Sequence, residues 1–312
     1  MRAMPLLSRS VLVGCLLLPA ASVANAAEYA FTSYGLGGNA FGAGVTPPPG
    51  TYVTTLAGFY SGKIGRTLDF GGVVLNAGVN VDFFTSGVNV LYVPETKLFG
   101  GNLGLSTTVP VGHDALGATI GVGPLSASRD VDGWGLGDIV SKLQLGWQDG
   151  NFSHTLYLQA VAPTGRYETG FFPIIGLHRP GIDTGLAFTW TDQATKLQFN
   201  GAAGFTFNFE NTATDYQTGD EFHFEWAIGR ELRQGLIFGI VGYDYRQLTG
   251  DSGSGDLLGS FIGRVDAIGP GLSYTTLIDQ KPFIFNLRYY HEFNSENRFE
   301  GDSTIASGTM RF

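Results

Sequence analysis

Ionisable and amide side chains recur in this sequence at alternate positions of apolar stretches: Asn80 and Asp82, then Asp138, Lys142 and Gln144, Gln198 and Asn200, His223 and Glu225, Asp244 and Arg246, and Arg288 and Glu292. Acids and bases on one face of alternating strands do one of two things. They form a constriction of opposed charge that selects among passing solutes, or they pair and brace a narrow interior. The residues alone leave both open. Either way, Asp82, Asp138, Lys142, Asn200, His223, Glu225, Asp244, Arg246, Arg288 and Glu292 are expected to face an enclosed lumen.

Catalysis has less behind it. In Gly250-Asp251-Ser252-Gly253-Ser254-Gly255, Ser254 stands where a nucleophile elbow needs its last glycine, and the run reads as a flexible loop. His113 and His178 fall in expected loops and His154 near a turn, none close in sequence to a serine with an acidic third member. Asp130-Val131-Asp132-Gly133 and the stretch from Asp251 to Asp256 lack the ligand spacing of a calcium loop. No catalytic residue, metal ligand or cofactor is assigned, and the expectation is a protein that is not an enzyme.

The stretch Lys196 to Glu210 shows what must position such residues. Leu197, Phe199, Ala203, Phe205, Phe207 and Phe209 alternate with Lys196, Gln198, Asn200, Thr206, Asn208 and Glu210. That is a strand with one apolar and one wet face, about three times the usual length. A tilted membrane-crossing strand, phenylalanines in lipid and amides in a lumen, fits both features; the alternative is a long sandwich strand. The same two-sided pattern returns at 139–147, 221–228 and 283–292.

Composition supports the barrel. The 312 residues include 47 Gly, 24 Phe and 13 Tyr, which favours strands over helices. With 18 Lys plus Arg against 27 Asp plus Glu, there is no basic patch for nucleic acid. Beyond the first 26 residues no apolar run approaches the ~18 residues of a transmembrane helix, so a membrane crossing requires a closed barrel.

The N-terminus reads as a cleavable export signal over residues 1–26, with Arg2 and Arg9, an apolar run from Val11 to Ala21, and Ala24-Asn25-Ala26 for cleavage. Leu12-Val13-Gly14-Cys15 also looks like a lipoprotein box, but the apolar run continues past the cysteine. Residues 27–49 are glycine-rich, end in Pro47-Pro48-Pro49-Gly50, and read as a periplasmic or plug-like lead-in to a barrel over 50–312. A first strand fits 51–61. Near 72–93 the apolar parity flips after Ser86, which implies a bulge in one long strand or a hairpin.

Short connections near 94–97, 148–151, 191–194, 233–235 and 278–281 take turns with long ones near 112–133, 163–180, 210–220, 249–259 and 294–302. An up-and-down antiparallel β-barrel with tight periplasmic turns and longer outer loops has this alternation. The fold expected is all-β, a transmembrane barrel of about twelve strands, or about fourteen if 72–93 is a hairpin and the N-terminal segment adds a partner strand. Phe171 and Phe172 would sit at a greasy entrance or in an aromatic belt. The terminal Phe312, on an alternating strand, resembles the signal read by the outer-membrane assembly machinery of bacterial barrels.

The phrases GLGDIVSKLQLGW (135–147), VAPTGRYE (161–168), FGIVGYDYRQLTGDSGSG (238–255), AIGPGLSY (267–274) and RYYHEFNSENRFEGDS (288–303) resemble the bacterial outer-membrane family named for the meta-pathway of phenol degradation. The resemblance covers roughly 45–312 and implies a porin-like barrel for passive uptake of small hydrophobic or aromatic compounds. It brings no catalytic residues. The partners implied are the outer-membrane bilayer, the assembly machinery through Phe312, and the solutes themselves, with no nucleic acid. A non-conducting structural or adhesion barrel is the alternative, and an outer-membrane hydrolase is the third reading, after both.

Overall fold

A computed structural model describes residues 28–70, 73–122, 125–169, 175–256 and 260–312. The expected export signal with Cys15, and the pair Phe171 and Phe172, lie outside the described residues. The strands are β1 (Gly50–Phe70), β2 (Val73–Val93), β3 (Lys97–Leu98), β4 (Gly101–Val122), β5 (Leu125–Leu136), β6 (Ile139–Asp149), β7 (Phe152–Ala162), β8 (Gly181–Thr191), β9 (Leu197–Asn208), β10 (Glu221–Arg233), β11 (Leu236–Gln247), β12 (Arg264–Ile278), β13 (Lys281–Glu296) and β14 (Glu300–Arg311). Each pairs antiparallel with its neighbours, and β1 pairs with β14 from Tyr52↔Arg311 to Lys63↔Glu300, which closes the sheet. β5 and β6 follow one another along β4, and β3 is a short stub, so the wall has twelve staves.

Alternation decides which face meets what. In β9 the even positions Asn200, Thr206 and Asn208 are buried inside, while Phe199, Phe205 and Phe207 are exposed outside. Leu156, Leu186, Ile228, Ile240 and Leu287 continue this outer apolar surface around the wall. Such a belt is stable against hydrocarbon and costly in water.

Two sequence expectations about element boundaries change. The stretch 112–133 is a tall hairpin of β4 and β5 rather than a loop. Its small Gly, Ala, Ser and Thr residues hide the strand signal, but the extended β2 offers an open edge and pairs with β4 from Leu75↔Val122 to Tyr92↔Leu105. Likewise 294–302 shrinks to residues 297–299, because β13 and β14 extend toward each other.

The parity flip in β2 is neither a bulge nor a hairpin. Its register with β1 is unbroken from Gly50↔Val93 to Phe70↔Val73. From residue 77 to 93 the odd residues face inward, yet Val88, Val90 and Tyr92 are exposed at one end while Val79 and Val81 are buried at the other. The stave leaves the bilayer partway up. Below that level lipid selects the apolar outer face; above it water selects a polar outer face, and the apolar residues turn inward onto Phe299 and Ala30.

The lipid assignment makes a sharp expectation. Phe205→Arg places a charge on the outer face of β9, past its middle toward the loop end, and should lower stability by up to about 2–4 kcal/mol, read by urea unfolding in liposomes. Thr206→Val, one residue on and facing inward, leaves the lipid contact untouched and costs instead the hydroxyl's hydrogen bond to Asp183. A Phe205→Arg cost no larger than that of Phe205→Ala would mean the faces are assigned wrongly.

Candidate functional site

The lumen is occupied by the chain's own lead-in. Residues 28–49 run from the end of the barrel with long connections, the loop end, to the end with tight turns, the turn end, held at each level by side chains from the wall. At the loop end the Glu28 carboxylate accepts from Asn211 Nδ2 (2.9 Å) and the Thr214 hydroxyl (2.8 Å), and Arg179, fully buried, donates to the Phe31 carbonyl (2.6 Å). In the middle the Tyr34 hydroxyl donates to Glu225 (2.7 Å), and the Tyr34 ring stacks on His223 at 3.5 Å between centroids. His223 Nε2 is 2.8 Å from Asp183 Oδ2, both buried. Asn39 gives Glu225 further donors from its backbone and side chain. Arg288 Nη1 donates to the carbonyls of Gly37 (2.8 Å) and Gly38.

Toward the turn end, Asn200 Oδ1 accepts from the Gly42 amide (2.9 Å) and the Thr189 hydroxyl (2.8 Å), and Thr189 Oγ1 accepts from the Gly44 amide (3.0 Å). Gln144 and Thr155 meet Thr46, and Arg311 donates to the Pro49 carbonyl (2.6 Å). A glycine-rich segment suits this route because its backbone can lie against the wall. A Cβ on Gly44 would come within 2.4 Å of the Phe188 backbone, and one on Gly229 in β10 within 2.4 Å of the Phe41 ring. Buried backbone amides and carbonyls of an irregular segment must find partners, and the lumen wall supplies them.

Among the residues the sequence placed in a lumen, Lys142, Asn200, His223, Glu225, Arg288 and Glu292 project inward. Lys142 Nζ sits 4.5 Å above the Tyr157 ring, and Glu292 accepts from the Tyr60 and Tyr243 hydroxyls, both at 2.7 Å, and from the Gly301 amide at 3.0 Å. Asp138 stands at the break between β5 and β6 and accepts from the amides of Gly165 (2.8 Å) and Leu177 (2.7 Å), pinning the 163–180 connection to the wall.

Three placements need correction. Asp82, Asp244 and Arg246 are on the outer face. Arg246 pairs there with Asp244 (2.6 Å) and Asp266 (2.7 Å), while Tyr243 and Tyr245 take the inner face of β11. The cause is the one found in β2: near the loop end the outer wall faces water, so polarity no longer marks the lumen. Asn80, given by the same parity, is exposed with Asp82.

Other inner groups were passed over. Asp183 alternates with the exposed Ile182 and Thr184, and Glu221 shares the face of His223 and Glu225, so alternation could have found both. Arg179 and Arg298 sit in connections, where no period operates. Among the described residues, no cluster of three or more His, Cys, Asp and Glu could hold a metal ion.

A family model described as "Putative MetA-pathway of phenol degradation" matches residues 64–307. No curated protein sequence matches the chain. A crystal structure of an outer-membrane channel from Pseudomonas putida F1 superposes with a TM-score of 0.63 at 14% identity, over 87% of this chain and 98% of that one. The translocator domain of the autotransporter NalP from Neisseria meningitidis gives 0.40 at 12% identity (85% and 90% covered), and the CymD monoaromatic hydrocarbon channel 0.38 at 9% (85% and 89%). The likeness to the Pseudomonas putida structure shows a shared fold.

Removing wall partners should free the lead-in without opening the sheet. Glu225→Ala and Arg288→Ala each strand buried donors or acceptors of the segment, a loss of about 1–3 kcal/mol per group. Chymotrypsin should then cut at Tyr34, Leu36 or Phe41 faster than in the parent, whereas Arg246→Ala should not change the pattern.

Burial also pushes the Glu28 carboxyl above its ordinary value of 4.5, against the lowering effect of Asn211, Thr214 and Arg179. With its docked-state pKa raised, Glu28 favours docking fully below pH 4.5, and that contribution falls as pH rises through the raised value. Hydrogen exchange of the amides around Phe31, corrected for its intrinsic pH dependence, should speed up across that window in the parent and stay flat in Glu28→Gln.

Proposed function

Given that the chain belongs to the family described as "Putative MetA-pathway of phenol degradation", we propose that it is an outer-membrane channel for passive uptake of small hydrophobic or aromatic compounds. The observation that carries this reading is how the lumen is filled. The lead-in occupies the bore through hydrogen bonds to the wall and contributes no strand to the barrel, so it can shift or leave while the sheet stays closed. A barrel of about twelve strands is wider than the small side-chain-filled barrels.

In this reading Lys142, Asn200, His223, Glu225, Arg288 and Glu292 have two roles. They seat the lead-in when it is docked, and they line the path with opposed charge when it moves. In this reading the wall lies in the outer-membrane bilayer, which its apolar belt supports; the export signal over 1–26 is removed on the way there, and Phe312, exposed at the turn end, is the mark for the assembly machinery. The filled lumen also favours the second reading, a barrel that never conducts.

Single-channel recording in planar bilayers separates the two. The channel reading expects small, intermittent current steps that phenol or toluene alters, and large steady steps after deletion of residues 31–44. Silence of both proteins across several preparations would support the non-conducting barrel.

A further inference from the structure

Between the lead-in and the wall near the loop end lies a cavity of about 190 Å³, lined by Phe31, Phe83, Phe299 and Tyr60, with Glu292 and Arg298 among its polar groups. Phe31 stacks on Phe299 at 5.4 Å and meets Phe83 at 6.2 Å. An apolar cavity of ~150 Å³ is enough to take up benzene, so the size suits one aromatic ring with a small substituent.

The polar groups of this lining are unequally free. Both tyrosine hydroxyls, Tyr60 and Tyr243, are committed to Glu292, whose oxygens are in turn occupied by them and by the Gly301 amide. Arg298 differs. It is 8% exposed, its guanidinium lies 4.1 Å from the Tyr245 ring, and its Nε and Nη1 are buried with no hydrogen-bond partner among the described residues. Buried donors without acceptors are costly, and a guanidinium offers adjacent N–H groups in the geometry of a carboxylate.

Arg298 also lines a second, polar opening of about 540 Å³ at the loop end, together with Lys63, Asn80, Glu296 and Glu300. Its side chain is thus common to the linings of the outer opening and the aromatic cavity.

We infer that this cavity binds a single-ring aromatic acid, with Phe31, Phe83 and Phe299 around the ring and the Arg298 guanidinium on the carboxylate. The inference rests on the reading that hydrophobic or aromatic solutes enter this barrel, and it adds which of them the entrance prefers. Arg298 is then a specificity residue, since an apolar ring alone leaves its donors unpaired and a cationic ring repels it.

The test is fluorine NMR of the full protein in nanodiscs, against empty nanodiscs, with 4-fluorobenzoate, 4-fluorotoluene and 4-fluorobenzylamine as probes. Fluorobenzoate should bind most tightly. Arg298→Met should weaken it by about ten- to a hundredfold, the range for hydrogen bonds to charged groups, and leave fluorotoluene unchanged, with Arg298→Lys restoring part of the loss. Gly58→Leu, which fills the cavity from β1, should remove binding of both; heat-modifiable mobility on gels verifies that each variant folds.

Fluorotoluene binding as tightly as fluorobenzoate, an unchanged ratio in Arg298→Met, or fluorobenzoate binding that survives Gly58→Leu would each overturn the acid assignment and leave the uptake reading standing. Failure of every ring compound to bind the parent protein would overturn both.

Discussion

Everything in this structure depends on the ladder between β1 and β14. A sheet in hydrocarbon cannot leave an edge unpaired, because each free amide or carbonyl would lose its hydrogen bond with no water to replace it. The pairing from Tyr52↔Arg311 to Lys63↔Glu300 removes that edge and fixes the circumference. Once the number of staves is set, the bore is set as well, and at about twelve strands it is too wide for wall side chains alone to fill. The lead-in resolves that mismatch. It brings a backbone, a few aromatic rings and little else into the space.

The lead-in in turn explains the lumen's chemistry. An irregular segment inside a barrel carries unpaired backbone groups along its length, and these need partners as much as strand edges do. Arg288 meets two consecutive carbonyls, Asn200 and Thr189 meet amides, and Glu225 gathers the donors of Tyr34 and Asn39. Charges that could read as a selectivity constriction therefore serve first as the seat of the lead-in. Such contacts are polar and local, while the strand ladders around them are continuous, so the free energy needed to displace the segment is far smaller than that needed to open the wall.

The loop end has a different character. Above the bilayer β1, β2, β4 and β5 rise as a collar with apolar residues inside, and Val79, Val81, Leu116 and Phe299 pack around Phe31. There the interior is greasy and the exterior wet, the reverse of the membrane zone. A solute arriving from outside would meet an aromatic interior before it meets the polar seat of the lead-in, and Arg298 lines both the outer opening and that interior.

How much of this was legible beforehand follows from the range of each signal. Alternation acts between adjacent residues, so it marked β9, β10 and β13 with their inner residues Asn200, His223, Glu225, Arg288 and Glu292, and the short connections that separate staves. It fails wherever the environment changes along a strand. At Asp82, Asp244 and Arg246 the polar face is the outer one, because the stave has risen into water, and the parity flip that marks this level in β2 reads from the sequence alone as a bulge or a hairpin. The lead-in shows the same limit: its glycines and prolines say that it is no strand, but its position in the lumen depends on partners such as Glu225 and Arg288, far away in sequence. The sequence by itself determined a barrel, its approximate stave count and the inward set of residues in the membrane zone, because those follow from local periodicity. Only the tertiary structure decided what fills the barrel and where its polarity inverts, because both depend on chain closure and on the level at which lipid gives way to water.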